Sequence, residues 1–193
     1  MGNIRVEGKK LIYQRKDELT IIEPYGMNCL RCRSTKNSKI LDENWTVLPP
    51  ATADDCHIEC DGKFATITNG AMKATIDAGQ IWYGGIITYF KKDTPVLHTR
   101  FEGDYSNRNQ HIEGDHYKIS VIFDANEGEH FYGIGQEQVD LFDRKGSTSQ
   151  IIHYNTKSTV PVLYSSLGYG FFWNNPSLSL IHISEPTRLR CIS

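Results

Sequence analysis

The sequence predicts an all-β protein built as an antiparallel β-sandwich. Apolar and polar residues alternate with a period of two in several segments, which is typical of strands with one buried face. Turn-forming residues separate these segments, and no segment carries a helical stripe of about 12 residues or more. Short strands at this spacing favour a sandwich or a barrel.

The clearest alternation lies in residues 72–77 and 117–124. Every second position is apolar, namely Met72, Ala74 and Ile76 in the first segment and Tyr117, Ile119, Val121 and Phe123 in the second. The polar positions between them, which include Ser120, are expected to face water. Asn69-Gly70 precedes the first segment and predicts a hairpin, because both residue types tolerate the positive φ of a tight turn. The polar stretch from Arg100 to Asp115 predicts a long loop between strands.

The composition indicates a globular protein. The chain has 193 residues, of which 39% are hydrophobic and 23% charged, and its formal net charge is -2. Lys and Arg are scattered, which argues against a nucleic-acid surface because such surfaces gather basic residues in a patch. No stretch approaches the roughly 18 apolar residues of a membrane span, and the N-terminus lacks the apolar run of a secretory signal. We therefore expect a cytoplasmic protein without nucleic-acid or membrane partners.

The cysteines have a spacing that invites a zinc hypothesis, with Cys29-x-x-Cys32 followed by Cys56-His57-x-x-Cys60. Residues 28–34 alternate like a strand, however, and residues three apart on a strand point to opposite faces. Cys56 and Cys60 share a strand face, which fits small buried hydrophobic residues. We therefore expect no metal site and no cofactor. Because the N-terminus lacks a secretory signal, we also expect no disulfide.

Residues 129–177 carry the most specific motifs. Tyr132 to Gln136, YGIGQ, is a glycine-bearing turn that lacks the motifs of phosphate-binding loops. The order F-Y-G-I-G-Q, Y-N-T, V-P-V-L-Y-S-S and G-Y-G-F-F-W-N-N closely resembles glycoside hydrolase family 31, the family of α-glucosidases and α-xylosidases. Pro24 to Arg33 resembles an early strand of that family in which the cysteine positions are often aliphatic, so the resemblance implies that Cys32 lies in the core.

The resemblance implies both a fold and an activity. The matching part of the family is an N-terminal galactose-mutarotase-like β-sandwich, and a (β/α)8 barrel with two catalytic aspartates follows it. The family hydrolyses α-glycosidic bonds with retention, which requires two carboxyl groups about 5–5.5 Å apart. The sequence ends before such a barrel, so we expect a fragment of a hydrolase whose partners are a carbohydrate substrate and the missing catalytic barrel. The isolated chain is then inactive.

We assign no catalytic residue within this chain. Five carboxylates lie close together in the sequence, and we expect them to be solvated on strand ends and a loop: Glu127, Glu129, Glu137, Asp140 and Asp143. The resemblance implies one substrate-binding loop, which matches His153-Tyr154-Asn155-Thr156. Asn155 would contact the sugar through its amide, which can donate and accept hydrogen bonds, and Tyr154 would stack on the sugar or gate the pocket. The aromatic residues of 169–173 are expected to pack in the core and between domains.

The domain boundary is expected at Ser177. Residues 1–177 would form the sandwich, and residues 178–193 would be a non-native tail, because LSLIHISEPTR looks like the translation of an adapter used to build sequencing libraries. The alternative is a genuine strand that includes Leu180, Ile181 and Ile183.

Two other functions remain open at this point. One is a stand-alone carbohydrate-binding sandwich without catalysis. The other is a mutarotase-like epimerase, whose acid and base would come from His111, Glu113 and His116.

Overall fold

A computed structural model describes residues 2–16, 18–44, 46–49, 55–79, 85–100, 108–113, 116–175, 179–183 and 188–192. All regular secondary structure in these residues is β-strand, and every paired strand is antiparallel to its neighbour, which confirms the predicted fold class. The chain divides into two compact units, residues 1–107 and residues 108–193.

The first unit contains two sheets in which neighbouring strands follow one another along the chain. The four-stranded sheet consists of β1 (Asn3–Glu7), β2 (Lys10–Arg15), β3 (Glu18–Pro24) and β4 (Leu30–Thr35). The five-stranded sheet consists of β5 (Cys56–Cys60), β6 (Phe64–Asn69), β7 (Met72–Asp77), β8 (Ile86–Lys91) and β9 (Thr94–His98). Their apolar faces meet in one core, as in a sandwich. Its members are Ile4, Leu11, Tyr13, Ile22, Ala65, Ile67, Ala74, Ile76, Ala78 and Ile87.

The predicted hairpin at Asn69-Gly70 is confirmed with its turn one residue further along. Asn69 pairs with Met72, so Gly70 and Ala71 form the turn. The Asn69 side chain is buried instead, and its amide donates to the carbonyl oxygens of Gly26 (2.8 Å) and Cys29 (2.7 Å). These two bonds fix the turn between β3 and β4 against the β6–β7 hairpin, because buried carbonyl oxygens need a donor.

The predicted core position of Cys32 is wrong, because Cys32 and Cys60 are exposed. Cys56 is half-buried and packs against the core of the first unit. The described residues contain no group of three or more His, Cys, Asp or Glu side chains arranged to hold a metal ion. They also contain no helix long and apolar enough to cross a membrane. The cytoplasmic location stays a prediction.

The second unit also contains two sheets. The five-stranded sheet has the order β10-β11-β17-β16-β13 and the three-stranded sheet the order β12-β14-β15. The strand bounds are β10 (Arg108–Glu113), β11 (His116–Asp124), β12 (Phe131–Gln136), β13 (Thr148–Ile151), β14 (Ser158–Ser165), β15 (Gly170–Phe172), β16 (Ser179–Ile183) and β17 (Arg188–Ile192). The rings of Phe123 and Phe171 meet edge-on at 5.5 Å and join the two sheets.

Two predictions for this unit are wrong in part. The predicted loop from Arg100 to Asp115 contains strand β10, whose polar sequence gives no strand signal but whose backbone pairs with β11. Strand β11 has no wet face near its end, because Ser120 (6% exposed) and Ile122 (3%) are buried together with Val121 and Phe123. An interior strand that is covered on both faces has no face in contact with water, so neither face needs to be polar.

Residues 179–183 and 188–192 form the interior strands β16 and β17 of the five-stranded sheet. Ile181 and Ile183 are fully buried, and Ser149 of β13 pairs with Ile181. This geometry agrees with the alternative of a strand in this region. It does not bear on the origin of the sequence after Ser177, so the non-native tail stays a prediction.

A chain that ends at Ser177 should lose the order of the five-stranded sheet. Strand β13 would lose the backbone hydrogen bonds of β16, and β11 those of β17. We expect amide hydrogen exchange in β13 to become fast, because its backbone groups would then bond only to water. Strand β7 of the first unit is the internal control and should keep its protection. Unchanged protection of β13 in the shortened chain would contradict this prediction.

Candidate functional site

The two predicted substrate-binding residues lie in a tight turn of the second unit. Tyr154 and Lys157 exchange two backbone hydrogen bonds, with N···O distances of 3.2 and 3.0 Å, and Asn155 and Thr156 lie between them. Asn155 is exposed, and 54% of Tyr154 is exposed. The turn leads directly into strand β14, which begins at Ser158. The structure therefore presents both side chains at the surface of a short, hydrogen-bonded turn.

Glu137 holds this turn in place through a largely buried ionic cluster. Its carboxylate accepts hydrogen bonds from Lys157 Nζ and from Arg144 Nη1 (2.6 Å), and the Ser149 hydroxyl lies 3.4 Å away. The side chains of Glu137, Arg144 and Lys157 are 10%, 7% and 14% exposed. A carboxylate removed from water in this way is stable only when it is paired and hydrogen-bonded. Glu137 therefore joins the end of β12, the following loop, β13 and the turn.

The charges around Glu137 control its protonation. Burial works to raise the pKa of the Glu137 carboxyl. The hydrogen bond and charge of Lys157 and the charge and hydrogen bond of Arg144 outweigh burial, so the pKa lies below its usual value. Glu137 is therefore an anion at neutral pH and is unsuited to act as a general acid.

Replacing Glu137 with Gln should change how stability depends on pH. A lowered pKa in the folded state gives stabilisation above the unfolded pKa of about 4.3, and this stabilisation is lost as pH falls through the lower folded pKa. Urea unfolding of the wild-type chain between about pH 6 and pH 2 should therefore show an acid-dependent loss that Glu137→Gln reduces. The matched control is the exposed Glu127→Gln. If the free energy of unfolding falls by the same amount at low pH in Glu137→Gln and in the wild type, the proposed role of this cluster is wrong.

The backbone of β12 adopts an unusual conformation shortly before Glu137. Gly133 (φ 113°), Ile134 (φ 68°) and Gly135 (φ 86°) are three consecutive residues with positive φ. Gly133 pairs with Leu163 and Gly135 with Thr159, so one residue of β12 lies opposite three of β14. After this bulge Gln136 pairs with Ser158, which places Glu137 beside Lys157. Positive φ at the β-branched Ile134 is strained, and its complete burial helps to hold it there.

Replacing Gly135 with Ala should destabilise the chain strongly. A Cβ atom there would lie 2.4 Å from the Ser158 carbonyl oxygen and 2.7 Å from the Val160 nitrogen, both of which belong to the backbone. We expect the free energy of unfolding to fall by about 3 kcal/mol, from left-handed strain and overpacking together. Gly128→Ala is the control, because Gly128 has a φ of +68° but no atom within 4 Å of the added Cβ. Gly128→Ala should lower the free energy of unfolding by only about 1 kcal/mol. Equal decreases for the two variants in urea unfolding would contradict the close approach of β12 and β14 at Gly135.

An open cleft of about 360 Å³ lies beside the turn. Its lining residues are Glu137, Gln138, Val139, Leu141, Arg144, Ser147, Thr148, Ser149, Tyr154, Thr156 and Lys157. Asn155 lies between two of these residues in the sequence but does not itself line the cleft, whose amide belongs to Gln138. The charged groups of Glu137, Arg144 and Lys157 bind one another, so the cleft offers hydroxyl groups, an amide and an aromatic ring beside an internally paired charge cluster. These groups suit a neutral polar ligand better than an ion.

The other carboxylates differ in their surroundings. Glu127 and Asp140 are exposed as predicted, whereas the expectation of solvation is wrong for Glu137 and Glu129. Glu129 is 2% exposed and accepts hydrogen bonds from the Ser165 hydroxyl and from Asn126 Nδ2 (2.9 Å). Asp143 binds His130 Nδ1 at 2.5 Å. Neighbouring strand ends supply these partners, so sequence spacing alone gives no sign of them.

The remaining sequence candidates have other places in the fold. Tyr169 is buried, and burial followed by the nearby Glu129 raises the pKa of its hydroxyl. The burial of Tyr169 agrees with the predicted core role, Phe171 is half-buried and packs on Phe123, and Phe172 is 43% exposed. The backbones of Glu113 and His116 pair in the β10–β11 hairpin, and His111 lies two residues before Glu113. The side chains of these three epimerase candidates lie outside the described part of the structure.

Comparison with known proteins identifies the family. The model of the glycosyl hydrolase 31 N-terminal galactose mutarotase-like domain matches residues 18–181. The chain therefore belongs to this family of domains, which confirms the resemblance found in the motifs.

Individual relatives agree with this assignment. The chain is 28% identical over 179 residues to an uncharacterized family 31 glucosidase of Pseudescherichia vulneris, with 81% of this chain and 33% of that protein covered. It is 33% identical over 64 residues to α-xylosidase A of Aspergillus niger, which covers 33% of this chain and 9% of that protein. A soil-metagenome GH31 α-xylosidase, solved with xylose, has the same fold with a TM-score of 0.88 at 23% identity. That match covers 98% of this chain and 30% of the other, so this chain spans at most about a third of these relatives.

Proposed function

We propose that this chain is the N-terminal part of a retaining α-glycosidase that acts on α-xylosides or α-glucosides. The observation that carries the proposal is the family match over residues 18–181. The names of the relatives, a glucosidase and an α-xylosidase, support the substrate class. In this proposal the chain supplies the scaffold and one loop of the substrate pocket, and the catalytic barrel and the carbohydrate substrate are its partners.

The charges of the cleft support the assignment of catalysis to another part of the protein. Retaining hydrolysis needs a carboxylate nucleophile and a second carboxyl group that can protonate the leaving oxygen. Glu137 is the carboxylate that lines the cleft, and Lys157 and Arg144 occupy it and keep it ionised. A carboxylate held in this way serves structure better than proton transfer.

The turn offers the two contacts that a sugar uses. The Asn155 amide can donate to one hydroxyl and accept from another. The exposed Tyr154 ring can cover the apolar face of a pyranose, since an aromatic side chain combines apolar area with a polar end. Because Glu137 fixes Lys157, both groups are held before a ligand arrives, which lowers the entropic cost of binding.

The purified 193-residue chain should not hydrolyse an aryl α-xyloside or an aryl α-glucoside. The reason is that both catalytic carboxyl groups are assigned to the following barrel. The measurement is release of the chromogenic phenol, with a full-length family 31 α-xylosidase as the positive control. Hydrolysis of either substrate by the chain alone would contradict the assignment of catalysis to the following barrel.

In the full-length protein, Asn155→Ala should lower kcat/KM for the α-glycoside by about tenfold to a hundredfold. The loss comes from the missing hydrogen bonds to the sugar, and thermal unfolding should be unchanged because Asn155 is exposed in the turn. Gln150→Ala is the control, since Gln150 is also an exposed amide but lies on β13. Equal kinetics in the wild type and Asn155→Ala would remove Asn155 from the substrate pocket.

A carbohydrate-binding module without catalysis is the second candidate. The observation in its favour is that the cleft and the exposed Tyr154 lie within one unit of this chain. The length of the reading frame in the parent gene distinguishes the two functions. A stop codon close to residue 177 combined with measurable xylose or glucose binding would favour the module, and continuation into a barrel would favour the hydrolase.

A further inference from the structure

The outer face of the β12-β14-β15 sheet is unusually apolar for an exposed surface. Its exposed members, which we call the aromatic face, are Phe142 (83% exposed), Val160 (49%), Tyr164 (60%) and Phe172 (43%), together with the half-buried Tyr132 and Val162. An antiparallel sheet with one wet face normally places polar residues on it. On β14 the exposed face carries Val160 and Tyr164, whereas the buried face carries Thr159 and Ser165 beside Leu163.

The aromatic face is one continuous patch. Tyr132 and Tyr164 are directly paired across β12 and β14, and Val162 and Phe172 are paired across β14 and β15, so each pair lies on one side of the sheet. Phe142 extends the patch beyond the strands, since its ring lies 4.9 Å from the Tyr132 ring. Contiguous patches that are rich in aromatic residues mark sites of protein contact.

The same patch adjoins the cleft. Phe142 belongs to the loop between β12 and β13, and two other exposed apolar residues of that loop, Val139 and Leu141, line the cleft. Arg144 and Asp143 fix the end of the loop through Glu137 and His130. A protein surface seated on the aromatic face would therefore also lie beside the Tyr154–Lys157 turn.

We propose that the aromatic face is the docking surface for the domain that follows this one in the full-length polypeptide. The inference rests on the proposed function. The matched family domain is N-terminal, and this chain covers only 33% of the Pseudescherichia vulneris relative and 30% of the soil-metagenome α-xylosidase. The remaining two thirds must contact this domain somewhere, and the aromatic face is the patch whose chemistry requires a cover. A sugar is a poorer occupant, because Tyr132 and Tyr164 are the members of the face with a hydrogen-bonding side chain, which leaves most hydroxyl groups of a sugar without a partner.

The isolated chain provides the first test. The combined change Val160→Thr, Tyr164→Ser and Phe172→Ser removes the centre of the aromatic face. Wild-type chain should bind the dye ANS and self-associate in sedimentation experiments, and the triple variant should lose both properties with little change in its unfolding midpoint. The matched control is Val6→Thr, Leu48→Ser and Phe64→Ser, which removes three exposed apolar side chains of the first unit. Equal losses in the two triple variants, or none in the first, would overturn the proposal.

The full-length protein provides the second test. Tyr164 should react with tetranitromethane in the isolated chain, where it is 60% exposed, and this reaction should be lost in the full-length protein. Tyr154 lies beside the cleft and would be covered as well, so the reference is the same Tyr164 peptide from unfolded full-length protein, in which nitration should be restored. Nitration of Tyr164 to the same extent in both proteins would overturn the docking surface.

The two readouts separate this inference from the proposed function. An active full-length α-glycosidase with freely nitrated Tyr164 would keep the function and reject the docking surface. A full-length protein with protected Tyr164 and no glycosidase activity would keep the docking surface and reject the function.

Discussion

The geometry of the candidate site depends on the close approach of β12 to β14 at Gly133 and Gly135. At these two positions a side chain would collide with backbone atoms of β14, and the backbone adopts positive φ. The approach shifts the register, so that the chain leaves β12 beside the start of β14. Glycine is therefore required for two reasons at once, the available space and the backbone conformation.

The ionic cluster of Glu137 follows from that register. Once Gln136 pairs with Ser158, the next residue of one strand faces the preceding residue of the other, and Glu137 meets Lys157. Arg144 completes the compensation of a carboxylate that has lost most of its water. Desolvation of the charges opposes the formation of this cluster. The cluster nevertheless favours one structure, because it fixes a loop, a strand end and a turn in one arrangement. An exposed turn that must present Asn155 and Tyr154 gains its order from this buried network.

Stability and function make different demands on the two faces of the β12-β14-β15 sheet. The inner face carries the buried Phe131, Ile134 and Leu163 and forms part of the core of the second unit. The outer face is apolar without being covered in this chain, which is unfavourable for an isolated domain but suitable for one that contacts further protein. The first unit shows no such conflict on β7, where Ala74 and Ile76 are buried and the intervening residues are partly exposed.

The sequence by itself determined the fold class, some of the strands and the family. Period-two alternation predicted β7, the Asn-Gly pair predicted the hairpin before it, and the motifs of residues 129–177 indicated family 31, because these signals are local along the chain. The tertiary structure alone decided burial and pairing. Strand β10 forms from a polar segment because β11 offers it a partner, and Ser120 is buried because β11 is covered on both faces. Likewise Glu129 and Glu137 are buried, since their hydrogen-bond donors come from β14, the turn before it and neighbouring loops. Alternation indicates which residues share a face of a strand. The strands and charged groups that cover this face come from distant parts of the chain, so local sequence does not predict them.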